Sequence, residues 1–311
     1  MEQKEIPLTI NPYFVTGFVD GEGCFSVFFR RDKRMKLGWV ISLNFQIHLH
    51  SKDKELLSKI REVLGRVGGI YESKNNSCSY IVSSLPQIVN TLIPFFDKYP
   101  LLSKKSEDYE FFKKVALIMN KKEHLKDKGF YEILSIKAAM RNGLTEVLAE
   151  SFPNIKPVST SNFENLLPKS LNPHWIAGFT EAEGSFMIHT QKHLGSKLGQ
   201  TVKLKFKISQ HEKDKELLNL ILYSLGCGTL VTSNINCKVV VVSKFEDIFN
   251  IIIPFFQKYP LYGDKNLNYL DFVKAAFLIK DKAHLTQEGW DKVLTLKSGM
   301  NYGRNYELKG E

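Results

Sequence analysis

The chain has 311 residues, 43% of them apolar and 12% aromatic, an ordinary folding composition that can fill one large core or two of about 150 residues each. Its 43 Lys and Arg against 33 Asp and Glu leave a formal net charge of +10, which favours a polyanionic partner over a small neutral ligand. No apolar run is long enough to span a membrane, and the opening MEQKEIPLTI reads neither as a secretory signal nor as an Arg-rich transit peptide. Cys24, Cys78, Cys227 and Cys237 lack the paired spacing of a zinc site, so an intracellular protein with reduced thiols and no membrane partner is expected.

In chain order, the first predicted element is a helix opened by Asn11-Pro12, with Asn as the cap and Pro in the first turn, where its missing N–H is harmless. It carries VTGFVDGEG (residues 15–23) and stops at the glycines around Glu22. CFSVFFRR (residues 24–31) alternates as a strand, and after a basic turn residues 39–50 alternate again. In that second strand Ile41, Leu43, Phe45, Ile47 and Leu49 share one face, while Val40, Ser42, Asn44, Gln46 and His48 share the other. Residues 52–64 read as an amphipathic helix ended by Gly65. Short strands are predicted near 69–74 and 78–83, followed by helices near 86–96, 107–120 and 130–140.

The whole pattern is then repeated. Asn11-Pro12 returns as Asn172-Pro173, and KDKELL (residues 52–57) returns at 213–218. IPFF (residues 93–96) and KYPL (residues 98–101) return at 253–256 and 258–261, after a one-residue deletion. VTGFVDGEG itself returns as IAGFTEAEG (residues 176–184). The boundaries expected are a first domain at residues 1–150, a Pro- and Ser/Asn-rich linker at 151–171 and a second domain at 172–311. Each domain is α+β, an antiparallel sheet with helices on one face and the other face open.

The open face is expected to present Cys24, Ser26, Phe28 and Arg30 beside Val40, Ser42, Asn44, Gln46 and His48. The short strands are assigned Ile70, Glu72, Lys74, Cys78 and Tyr80 on that face. In the second repeat it presents Ser185, Met187, His189 and Gln191, then Lys203, Lys205, Lys207 and Ser209, with Thr232, Asn234, Lys238 and Val240 from the short strands. One such face could be a plain solvated surface. Two in tandem on a basic chain point to a nucleic-acid groove.

Gly17 and Gly178 sit mid-helix, where glycine costs roughly 1 kcal/mol relative to alanine. A repeated cost implies a repeated use, and the expectation is close approach of the two motif helices. Asp20 and Glu22 in one copy, and Glu181 and Glu183 in the other, lie at helix C-termini, where the dipole disfavours negative charge and a hard cation such as Mg²⁺ would neutralise it. His124 and His284 also recur and read as packing or helix-end residues.

The two motif segments resemble the paired LAGLIDADG motifs of single-chain, pseudosymmetric homing endonucleases. The repeat as a whole is similar to the intron-encoded I-OnuI-like group over residues 11–150 and 172–305. The resemblance implies two tandem domains joined through the motif helices, with Glu22 and Glu183 binding Mg²⁺ and water at the scissile phosphates. It gives Asp20 and Glu181 a supporting role, places the basic residues Lys105 and Lys265 near each centre, and lets Gln210 assist. Leu49 stands where the first repeat would carry the matching glutamine, which departs from the pattern. The activity implied is cleavage of double-stranded DNA at a long asymmetric site of about 20 base pairs, read in the major groove. It would leave short 3′ overhangs and be performed by a monomer encoded in a mitochondrial genome. The same fold also serves RNA maturases acting on their own intron RNA, alone or together with cleavage.

Overall fold

The computed structural model describes residues 9–159, 167–301 and 304. The expectations made for residues 1–8, for the middle of the linker (160–166) and for the chain's end (302–303 and 305–311) lie outside them. The chain divides into two compact units, which meet between Leu167 and Pro168.

In the first unit Asn11 caps α1 (Pro12–Glu22), its Oδ1 accepting the Tyr13 N–H at 2.9 Å. β1 (Gly23–Arg31) leaves the helix without a loop, which is why the motif ends in glycine: a Cβ at Gly23 would lie 2.9 Å from the Val19 carbonyl oxygen. β2 (Trp39–His50), α2 (Lys54–Val63), β3 (Gly69–Ser73) and β4 (Ser77–Val82) complete an antiparallel sheet in the order β1-β2-β4-β3. A helical run follows as α3 (Leu85–Gln87), a π turn (Ile88–Leu92) and α4 (Ile93–Lys98). The wide turn precedes Pro94, which has no N–H to give, and Ile93 donates five residues back to Ile88 O instead. α5 (Lys105–Asn120), α6 (Asp127–Ala139) and α7 (Glu146–Ser151) close the unit.

The second unit repeats this as α8 (Pro173–Glu183), β5 (Gly184–Lys192), β6 (Gln200–His211), α9 (Lys215–Leu225), β7 (Thr229–Asn234) and β8 (Cys237–Val242). Then come α10 (Phe245–Asp247), a π turn (Ile248–Ile252), α11 (Ile253–Lys258), α12 (Lys265–Lys280) and α13 (Gln287–Ser298). Its sheet order is β5-β6-β8-β7.

Each core is an aromatic cluster between one sheet face and the helices. Phe25 of β1 lies 5.1 Å from Phe45 of β2, 5.5 Å from Phe96 of α4, and 5.4 Å from both Tyr109 and Phe112 of α5. Phe186 repeats the arrangement with Phe206, Phe256, Tyr269 and Phe272. Beyond α7, Phe152 packs on Trp39 and Phe130, and Val158 N donates to Ser135 O, so the start of the segment after the first repeat lies on that unit.

The short strands correct the phase expected of them. Cys78 and Tyr80 face the helices, paired with Leu49 and Ile47 of β2, and Tyr80 is fully buried with its hydroxyl donating to Val67 O at 3.0 Å. Ile70 lies opposite Tyr80, and Glu72 shares that helix-facing side and pairs with Lys54 of α2. Lys74 sits in the turn beyond β3. In the second unit Val240 is fully buried opposite Ile208, and Lys238 and Thr232 take the same phase; an irregularity after Thr232 returns Asn234 to the open side opposite Cys237. The residues that do face outward from the inner strands are Ser79 and Ile81 with Tyr71, and Val239 and Val241 with Val231. Tyr80→Ala is therefore expected to cost about 3–5 kcal/mol of stability by emptying core volume. Chemical denaturation measures that loss, while the protein's ligand preference stays as it was.

Candidate functional site

In each unit the end of the motif helix is built from three side chains with different fates. Asp20 is 2% exposed, and its carboxylate accepts from Leu102 N and Ser103 N at 2.9 Å each and from Ser103 Oγ at 2.6 Å. Glu181, 6% exposed, accepts from Tyr262 N at 2.8 Å and Gly263 N at 3.1 Å. A carboxylate at the negative end of a helix dipole is stabilised here by charge-assisted backbone donors from the loop that follows KYPL. The loop is thereby pinned to the helix.

That loop delivers the lysine. α5 begins at Lys105, two residues earlier than the sequence suggests, and its Nζ reaches Gly21 O at 2.6 Å. Lys265, first residue of α12, donates to Thr180 O at 3.1 Å and Ala182 O at 3.0 Å. An ammonium in the first turn of its own helix is at the unfavourable dipole end, but its charge is carried to the negative end of the motif helix, where it is favoured. In both units the cation rests on the carbonyl of the residue just before the last motif acid.

The last acids differ from their neighbours. Glu22 is exposed and Glu183 half-buried, each at the final position of its helix, whereas Asp20 and Glu181 are turned inward. Gly17 and Gly178 are buried within α1 and α8. Gln210, near the end of β6, folds back so that its Oε1 accepts from His211 N at 2.8 Å, and its register partner is Lys238. Lys238 itself pairs with Glu212 at 3.1 Å. Ser103 is the functional-site residue that side-chain reading missed. Its sequence signal is only its place two residues before Lys105 in the repeated register, and Gly263 replaces it in the second copy.

The sheet faces away from the helices differ in character. On the first, Cys24, Ser26, Phe28 and Arg30 of β1 stand beside Val40, Ser42, Asn44, Gln46 and His48 of β2, none of them buried. Ser79 Oγ takes Gln46 Nε2 at 3.2 Å and lies 2.8 Å from His48 Nδ1. In the β1–β2 turn Arg34 grips Asp32 through bonds of 2.9 and 2.7 Å, which hold that carboxyl below its usual range. On the second face Ser185, Met187, His189 and Gln191 lie beside Lys203, Lys205, Lys207 and Ser209. Among the described residues none of those three lysines is in an ion pair. Like charges ~7 Å apart repel by only about 0.6 kcal/mol in water, which a free surface tolerates, and the stripe becomes attractive beside phosphates or base acceptors.

Comparison with known proteins bears on the same residues. A family model described as LAGLIDADG endonuclease matches residues 15–116 and 176–276. A probable intron-encoded endonuclease of Neurospora crassa is 37% identical over 93% of this chain and 54% of its own length, so the chain spans about half of that relative. The solved structure of the I-SmaMI LAGLIDADG homing endonuclease bound to cleaved DNA is 38% identical, with a TM-score of 0.92 over 96% of this chain and 99% of that one. I-SmaMI bound to uncleaved DNA target in the presence of calcium ions is 37% identical, with a TM-score of 0.91 over 94% and 99%.

Proposed function

The chain belongs to the LAGLIDADG endonuclease family, and from that premise we propose that it is a homing-type, site-specific endonuclease that cuts both strands of a long asymmetric DNA site. The observation that carries the proposal is the repeated division of labour at the motif ends. One acid holds the loop, the loop sets a lysine on the helix-end carbonyls, and the last acid, Glu22 exposed and Glu183 half-buried, ends the helix beside the carbonyl that the lysine binds.

Among the described residues there is no group of three or more His, Cys, Asp or Glu that could hold a metal ion by itself. One carboxylate at each motif helix end suits Mg²⁺, which binds proteins through one or two carboxylates and completes its shell with water and substrate phosphates. That I-SmaMI was solved bound to uncleaved DNA target in the presence of calcium ions supports the use of a divalent ion. Glu22 and Glu183 would hold it, and when bound it neutralises phosphate charge and acidifies a water. The chain's own groups do the positioning. Each glutamate orients the attacking water, and Lys105 or Lys265 places an ammonium where negative charge grows on the phosphate. The water oxygen bonds to phosphorus in line and releases a proton to solvent, the P–O3′ bond breaks, and the 3′ oxygen takes up a proton from solvent, giving a 5′-phosphate and a 3′-hydroxyl; offset cuts on the two strands leave short 3′ overhangs.

The open faces supply recognition. A strand of about eight residues rises ~26 Å, the length of about eight base pairs, so two faces read on the order of 16–20 base pairs in the major groove. Two motifs in one chain support action as a monomer. The intron-encoded relative and the Lys-, Asn-, Ile- and Phe-rich composition support a mitochondrial setting.

The direct test is a cleavage selection on a randomised duplex library with Mg²⁺. One enriched, non-palindromic site is expected, and a library cut at random or left intact would overturn the proposal. Affinity for that site should also fall about 10³–10⁵-fold between roughly 50 and 200 mM salt as neutralised phosphates regain their counterions. A flat response contradicts groove binding.

A further inference from the structure

Asn44 is unusual on the first open face. Its Oδ1 is buried and has no hydrogen-bond partner among the described residues, whereas its neighbours Gln46 and His48 both engage Ser79. It lines an open concavity of about 430 Å³ whose walls include Phe28, Ser42, Tyr71, Ile81 and Ser83. Phe28 and Tyr71 are 52% and 60% exposed, large rings left in water on a face that also carries polar and charged groups. The place equivalent to Asn44 in the second sheet holds Lys205. The register agrees, with Asn44 opposite Ser26 and Lys205 opposite Met187.

We propose that these two equivalent positions read different bases, Asn44 the adenine of an A·T pair in one half-site and Lys205 a guanine in the other. The inference rests on the reading of the chain as an endonuclease that meets DNA through its open sheet faces. In the major groove adenine offers an N6–H donor beside the N7 acceptor, and the carboxamide is the side chain that can accept from one while donating to the other. The Oδ1 is enclosed and unpartnered as it stands, and rotation of the carboxamide toward the groove makes it the acceptor that N6–H satisfies. The thymine of the same pair carries a C5-methyl group, and the Phe28, Tyr71 and Ile81 wall provides apolar surface for it. An ammonium has only donors, so Lys205 cannot accept from N6–H and instead matches the paired acceptors O6 and N7 of guanine. Lys203 and Lys207, two residues to either side, reinforce acceptor-rich sequence in that half.

The same selection on randomised duplexes separates this inference from the function beneath it. The wild-type chain is expected to enrich adenine at one position of one half-site and guanine at the corresponding position of the other. Asn44→Ala should remove an adenine preference of about 5- to 150-fold at that position, and Asn44→Lys should convert it to guanine. Lys205→Ala should relax only the other half, and Lys205→Asn should convert its guanine to adenine. The conversions are gains of preference that a misfolded protein cannot imitate, and the Lys205 pair keeps the test open if an Asn44 variant fails to fold. If the wild type selects a site but the Asn44 and Lys205 variants return the same profile, or shift both halves together, this inference is overturned while the endonuclease stands. If the wild type selects nothing, both fall.

Discussion

Glu22→Gln and Glu183→Gln, made singly, are each expected to abolish the linear product from a supercoiled plasmid carrying the site. The rate of double-strand cutting should fall by about 10²–10³-fold or more, with affinity changed by no more than a few-fold. The substitution keeps the shape and one acceptor oxygen but removes the charge, so it separates charge from packing. Both residues end their helices, and the backbone bonds that hold the loop after KYPL are made to Asp20 and Glu181. Thermal stability should therefore match the parent protein, and a folded, DNA-binding variant without linear product is the expected signature. Unchanged double-strand cleavage in either variant would remove that glutamate from the reaction. Binding lost in parallel with cleavage would mean that the acids serve docking and not hydrolysis.

The elements that the sequence made legible are those with a strong period or a strong cap. Asn11 and Asn172 cap their helices through the side-chain bond expected of them. The long strands β1, β2, β5 and β6 alternate far enough for Phe25, Phe45, Phe186 and Phe206 to reveal the inner face. Duplication strengthened each of these readings by repeating it. The short strands failed because six residues hold too few periods. In SCSYIV the inward positions are a thiol, a phenol and Val82, while Ile81 points outward, so polarity inverts the true phase. The hydroxyl of Tyr80 is satisfied by a carbonyl inside the core, which no composition rule announces. At the motif ends the carboxylates were legible and their partners were not. Leu102 and Ser103, and Tyr262 and Gly263, act through backbone N–H groups that every residue type carries. The early start of α5 was hidden for a related reason: a lysine at a helix N-terminus contradicts the dipole rule unless the second helix end that receives it is known.

Asp20→Ala should do the reverse of Glu22→Gln, harming the fold first and the chemistry through it. The substitution removes the acceptor for two backbone N–H groups and one hydroxyl in a place that is 2% exposed. A buried donor left unsatisfied costs about 1–3 kcal/mol, and with partial relaxation the total should be roughly 2–5 kcal/mol. The loss is local before it is global, so it should be read by hydrogen exchange at residues 102–106 as well as by the denaturation midpoint of the first unit. Releasing the loop also releases Lys105 from the Gly21 carbonyl, so cleavage falls even where the protein is still folded. Asp20→Asn, which keeps one carbonyl oxygen, should lose less on both counts. Ser103→Ala removes the hydroxyl that donates to Asp20 and accepts from Lys105 N, and should cost about 1–2 kcal/mol. Because the Asp20 and Ser103 side chains share the Oγ–Oδ1 bond, their double variant should be less damaged than the sum of the two singles, with a coupling of at least about 0.5 kcal/mol. Were Asp20→Ala to keep full stability and unchanged exchange while losing cleavage, Asp20 would belong with Glu22 at the reacting phosphate, and its bonds to the loop would be incidental.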